Sequence, residues 1–260
     1  MIDWVYGLSL GWLIVVVIAG TFAVACFIWA VIGRIARGQR ADTLAAVSPG
    51  MLPPLGIVFA LVIGFLAAGV WNDASNARVA VNDEASALRT AQLLVGNFPK
   101  SDAARMRALI RAQIVQDVAD WPVMARQQQT LAVIPVALAE GLRLALQLRP
   151  ETAGQAVAQR ELAVALENAL DARRQRILIS QSRVNWVKWA GVIALAAVTL
   201  IAIACVHAGR RASAAIAMGL FATAIAVSLI LIVSQDRPFG GPLGIKPSPL
   251  EQVLPPGSSG

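Results

Sequence analysis

Residues 53–72 read PPLGIVFALVIGFLAAGVWN, and the chain continues to residue 97 as DASNARVAVNDEASALRTAQLLVGN. The first part contains no Asp, Glu, Lys or Arg. A helical bilayer crossing takes about 20 apolar residues. The second part is polar, yet it has no proline and no glycine before Gly96, so little in it stops a helix. Together they predict a transmembrane helix that leaves the bilayer and continues as the first helix of a soluble domain.

Three more charge-free stretches lie outward from it: Trp4–Gly33, Trp189–Gly209 and Ala212–Gln235. The expected architecture is an all-α polytopic membrane protein with four transmembrane helices (4–33, 52–72, 189–209 and 212–235), two on each side of a helical soluble domain. That domain covers 73–187, and a tail follows from 236 to 260. With Lys188, the middle stretch carries 15 Lys/Arg against 11 Asp/Glu. Composition agrees, with 57% hydrophobic and 14% charged residues and a mean hydropathy of +0.66. Soluble domains run nearer 45–50% apolar and about 25% charged. Trp4, Tyr6, Trp12, Trp71, Trp186 and Trp189 flank the spans, where aromatic rings favour the headgroup layer.

The first span is no signal peptide: only Asp3 precedes it as a charge, and its apolar run is too long. Cys26 and Cys205 fall within spans and act there as small hydrophobes. No span holds an ionisable side chain, which weighs against a proton-coupled carrier. It suits an apolar pore constriction or inert anchors equally. The short loops carry five basic residues, Arg34, Arg37, Arg40, Arg210 and Arg211. The opposite side carries eight: Arg78, Arg173, Arg174, Arg176, Arg183, Lys188, Arg237 and Lys246. The positive-inside rule therefore places the middle domain and both termini in the cytoplasm.

Within the middle domain, apolar stripes are expected at Met106, Ile110, Ile114 and Val118, at Leu131, Ile134, Leu138, Leu142 and Leu146, and at Leu162, Leu166, Leu170 and Ile177. Ser101 or Asp102 reads as a helix cap, Pro135 as a kink, and Trp121-Pro122 and Arg149-Pro150 as breaks. The last helix is expected to run straight into the third span. The tail, rich in Pro and Gly, is expected to be extended, and its final Gly-Ser-Ser-Gly reads as an appended linker.

No P-loop, dinucleotide fingerprint or Gly-x-Ser-x-Gly elbow is present. His207 alone reads as a local hydrogen-bonding residue. Asp117 and Asp120, three apart on a helix, read as solvated surface, and so does Glu84. Arg173, Arg174 and Arg176 read as headgroup contacts, or alternatively as an anion-attracting vestibule. No enzyme activity, cofactor, metal or nucleic-acid partner is expected.

The segment from Asn82 through Glu84 to Arg89, the Trp121-Pro122 pair, Arg173 with Arg176, and the tail motif Asp236-Arg237-Pro238-Phe239-Gly240-Gly241 have a familiar pattern. Over roughly Trp12–Val253 the chain resembles the bestrophin-like family of membrane proteins. Through that family it is distantly similar to bestrophins, which are pentameric, mostly anion-selective channels. The resemblance implies a homo-oligomer, a pentamer, in a bacterial inner membrane, with the lipid bilayer and inorganic anions as partners. It implies a pore neck at Ile57, Leu61 and Phe65, which lie on one helix face and form a ring that gates by dewetting. The five loop arginines would then form an anion-attracting mouth. Calcium-gated bestrophins carry an acidic run after the last span. Here only Asp236 stands there, followed by Arg237, so calcium gating is not expected and Asp236 reads as fixing the turn. The alternative is a non-conducting scaffold or sensor whose helical domain binds a cytosolic partner; a monomer or dimer would favour it.

Overall fold

The computed structural model describes residues 9–36, 41, 43, 44, 46, 49–128, 131, 135–182, 184–241 and 243–255. Trp4, Tyr6, Arg37, Arg40, Asp42, Ile134 and Arg183 lie outside them. The helices are α1 (Leu10–Ile35), α2 (Leu52–Leu94), α3 (Lys100–Ala125), α4 (Val136–Gln147), α5 (Ala153–Ser180), α6 (Trp186–Val206), α7 (Arg211–Val233) and α8 (Ser248–Gln252). Short 3-10 turns occupy Pro49–Met51 and Val95–Asn97. No strand occurs among the described residues. Among the described residues, four helical stretches, Leu10–Ile35, Pro49–Asn97, Trp186–Val206 and Arg211–Val233, are long and apolar enough to span a bilayer. The protein is an all-α polytopic membrane protein.

The chain forms two compact units. The membrane unit takes Met1–Asn72, Arg183–Asp236 and Gly241–Leu243; the helical unit takes Asp73–Ser182, Arg237–Gly240 and Gly244–Gly260. In the membrane unit α1 lies against α6 and α7, and these lie against each other. The first part of α2 joins them through Phe59, Leu66 and Val70. The Phe59 and Phe221 rings meet at 5.2 Å and 57°. Only 11% of the apolar window of α1, and likewise of α2, is buried, against 39% in α6, so α1 and α2 turn most of their surface outward. The hydroxyls of Thr21, Thr199, Thr223 and Ser228 donate to the carbonyls of Val17, Leu195, Gly219 and Ala224, one turn back. No bare hydroxyl donor is therefore left among these four groups to raise the cost of the apolar setting.

The helical unit is built on in-phase apolar positions. Ala77, Val81, Ala85, Leu88 and Ala91 of α2 meet Met106, Ile110 and Ile114 of α3, Leu138 and Leu144 of α4, and Leu162, Leu166 and Ala169 of α5. The second stripe drifts: Leu138 is buried, but Leu146 is 67% exposed, and Leu144 and Ala145 replace it. A strict four-residue step precesses about 40° per turn on a 3.6-residue helix. Pro135 does not kink this helix but precedes its first residue, Val136, where a missing N–H costs nothing. Pro122 does not break α3 either; it sits in the last turn of a helix ending at Ala125. Neither Ser101 nor Asp102 caps α3, which starts at Lys100 after Pro99 with Asp102 in its first turn. At α5, Thr152 Oγ1 accepts the Gln155 N–H at 3.2 Å as a side-chain cap. The expected run from α5 into α6 is interrupted. α5 stops at Ser180, and α6 restarts at Trp186 behind Asn185, whose Oδ1 accepts the Val187 N–H.

The tail is not extended. Phe239 and Leu250 are buried in the helical core, with Ile245, Val253 and Leu254 packed against it. Gln92 Nε2 donates to the Val253 carbonyl at 2.7 Å and Arg111 Nη1 to the Pro255 carbonyl at 2.6 Å. The loop before α8 is tight. A Cβ on Gly240 would stand 2.9 Å from the Ala125 carbonyl oxygen, and one on Gly244 2.9 Å from that of Phe239. Gly241 adopts φ 76°, a left-handed conformation that suits glycine.

Candidate functional site

Ile57, Leu61 and Phe65 recur every fourth residue on α2 and are 67%, 56% and 71% exposed. Phe59, Leu66 and Val70 face the unit's own core. The α2 face that the family resemblance singles out is thus left uncovered within the described residues.

Of the five loop arginines, Arg34, Arg210 and Arg211 are exposed, while Arg37 and Arg40 lie outside the described residues. Arg211 is engaged: its guanidinium lies 4.8 Å over the Trp29 ring, and its carbonyl accepts the Trp29 Nε1–H at 3.3 Å. Gly33 makes room for it, since a Cβ there would stand 2.7 Å from Arg211 Nη2. His207 Nδ1 bonds the Ile203 carbonyl at 2.9 Å, a local role. Asp236 is buried, and its Oδ1 accepts the Val184 N–H at 2.9 Å.

The remaining motif residues converge inside the helical unit. Arg176 of α5 grips Glu84 of α2 with both ends of its fork, Nε to Oε2 at 2.6 Å and Nη2 to Oε1 at 3.0 Å. The same Nη2 lies 3.0 Å from Asp117 Oδ1 of α3, and Arg173 Nε donates to that oxygen at 3.1 Å. Gln113 Nε2 donates to Asp117 Oδ2 at 2.7 Å, and Arg176 Nη1 meets Met124 Sδ at 3.2 Å. Glu84 and Asp117 are 0% exposed, Arg176 1% and Arg173 5%. Trp121 closes one side. The Arg176 guanidinium sits 5.1 Å over its ring, and Phe239 meets it edge-on at 5.6 Å and 83°. Its Nε1–H donates to the Ile245 carbonyl at 3.0 Å, and the Ile245 N–H donates to the Pro238 carbonyl. Asn82, by contrast, is exposed.

This cluster corrects three sequence expectations. Glu84 and Asp117 are not solvated, and Arg173 and Arg176 do not lie at headgroups; only Arg174 of that run is exposed. A signal for this exists in the sequence. Asp117 is in phase with Ile110, Ile114, Trp121 and Met124, Glu84 with Ala77, Val81 and Leu88, and Arg173 and Arg176 with Leu162, Leu166 and Ala169. A charge that keeps step with a core stripe points inward. Desolvating four charges costs several kcal/mol each unless pairing and hydrogen bonds offset it. Here two guanidinium groups meet two carboxyl groups, and each of the four carboxyl oxygens accepts at least one bond. Such an arrangement clamps α2, α3 and α5 together and leaves no carboxylate oxygen without a donor.

Burial pushes the Glu84 carboxyl up to about 7, against the opposing pull of Arg176. Burial alone would lower Arg176, but Glu84 and Asp117 outweigh it and hold the guanidinium above its ordinary value. Between pH 4.5 and about 7, folded Glu84 keeps a proton that the unfolded chain releases. Its contribution is therefore full at low pH and is lost as pH rises through that window. Melting midpoints are expected to fall with rising pH more steeply in the wild type than in Glu84→Gln. Parallel curves would show that Glu84 stays ionised throughout.

No curated protein and no solved structure matches this chain significantly. A family model described as a bestrophin-like domain matches residues 19–250. That span takes in the uncovered α2 face, the buried charge cluster and the Phe239 loop, and with it the chain belongs to the bestrophin-like family.

Proposed function

We propose that the protein is a passive, anion-selective ion channel. It assembles as a homo-oligomer, a pentamer by analogy with bestrophins, around a neck formed by Ile57, Leu61 and Phe65, with the helical unit and both termini in the cytoplasm. The observation that carries this reading is the uncovered α2 face. Its large apolar side chains stand 56–71% exposed at regular spacing, on a helix without an ionisable side chain from Leu52 to Asn72. Facing an axis, successive rings of them would hold a narrow pore dry until it widens. Arg34 and Arg210, both exposed at the ends of spans, add the positive field that draws anions to one mouth.

Reconstitution into planar bilayers under a chloride gradient tests this. The expected reversal potential lies near that of chloride. Phe65→Ala, which removes the bulkiest ring of the neck, is expected to raise unitary conductance severalfold. Silent bilayers from intact oligomer would sink the channel reading. Currents unchanged in Phe65→Ala would move the neck elsewhere.

A further inference from the structure

Two features of the helical unit are not accounted for by its own packing. The first is a groove between α2 and α5 of about 470 Å³. Small residues Ala87, Ala165 and Ala172 line it, with Asp83 on the α2 wall and Asn168 and Asp171 on the α5 wall. Asp83 and Asp171 are exposed, and neither belongs to an ion pair among the described residues. The second is the outer face of α3. Ala104, Ala108, Ala112, Val115 and Ala119 follow one another at three- and four-residue steps, and all are exposed, opposite the face that Met106, Ile110 and Ile114 bury. At 100° per residue, Arg105 lies about 60° from the axis of this ridge on one side and Arg107 about 100° from it on the other. Both are exposed and neither is ion-paired among the described residues.

We propose that the α3 ridge of one copy seats in the α2–α5 groove of the next, with Arg105 and Arg107 set against Asp83 and Asp171, an interface that presupposes the oligomeric channel proposed above. Small side chains on both surfaces let the helices approach closely. The groove has one carboxylate on each wall, and a guanidinium flanks the ridge on either side. Ridge against ridge would oppose four arginines, and groove against groove four aspartates, so charge selects the mixed pairing. Ridge and groove are different surfaces, so the contact is heterologous, and a heterologous contact closes into a ring when its rotation allows.

Cysteine crosslinking in the full chain tests this. Cys26 and Cys205, both in the membrane unit, are first replaced by alanine. Ser86→Cys in the groove and Ala108→Cys on the ridge are then introduced singly and together, and membranes are oxidised. The double variant is expected to give a ladder of covalent multimers and each single variant none. Dimers from Ala108→Cys alone would mean ridge-to-ridge contact and overturn the proposal. No crosslink in the double variant, with the extracted complex still of oligomeric mass, would overturn this interface and leave the oligomer standing. A monomeric mass would overturn both. Asp83→Lys with Asp171→Lys is expected to cut crosslinking at least about tenfold, the effect of about 1.4 kcal/mol. Adding Arg105→Glu and Arg107→Glu is expected to restore it. Failure of the combined variant to recover, while it stays folded by circular dichroism, would remove the charge pairing and the proposal with it.

Discussion

Arg176→Leu is expected to destabilise the helical unit by about 3–5 kcal/mol, the range found when one partner of a buried ion pair is removed. Both oxygens of Glu84 would lose their donors, and Asp117 would keep only Arg173 and Gln113. A loss of that size is a large share of the roughly 5–15 kcal/mol that holds a domain together. Protease resistance of residues 73–182 and the denaturation midpoint of the purified protein are the readouts. Arg176→Lys keeps the charge but loses the fork and should fall in between. The companion variant is the informative one. Replacing Glu84, Asp117, Arg173 and Arg176 together by apolar residues of similar size is expected to recover much of the loss, because the penalty comes from stranded charge rather than from missing attraction. An Arg176→Leu protein that melts like the wild type would mean that the fork is not holding α2, α3 and α5 together.

Trp121→Ala is expected to cost about 3–5 kcal/mol, as large-to-small changes in a packed core do. It removes the surface between Arg176 and Phe239 and the indole bond to the Ile245 carbonyl. Its particular signature is a tail that becomes cleavable: residues 237–255 should be trimmed by protease well before the helices are. Trp121→Phe keeps an aromatic ring but not the N–H donor, and should cost about 1 kcal/mol, the net worth of one hydrogen bond. Equal trimming of wild type and Trp121→Ala would show that Phe239 and Leu250 anchor the tail without help from the indole.

The spans were legible because absence of charge over some twenty residues is a local property, readable without knowing what packs against what. The length of α2 was legible for a similar reason, since nothing between Asp73 and Leu94 breaks a helix. The charge cluster was not. Glu84 and Arg176 lie 92 positions apart, and Asp117 and Arg173 56; no local window joins them. Asp117 beside Asp120 looked like an ordinary wet helix face, and only Asp120 is outside the core: its Oδ2 accepts the Gln116 amide at 2.9 Å on the surface. The tail misled for another reason. Its Pro and Gly content suggested an extended strand of chain, but at Gly240, Gly241 and Gly244 glycine allows a tight reversal that carries Phe239 into the core. Proline and glycine report the absence of helix, not the absence of packing.

The burial of Phe239 and Leu250 bears on the order in which the molecule is made. Both lie after the fourth span in the chain, yet both belong to a core whose helices lie between the second and third spans. While the ribosome is still delivering the last two spans, the middle helices wait with Trp121 bare on the side that Phe239 will cover. Completion of that core therefore records that the four spans described above have already been translated. A chain stalled or cut before residue 237 lacks Phe239 and Leu250 and leaves that part of the core without its cover.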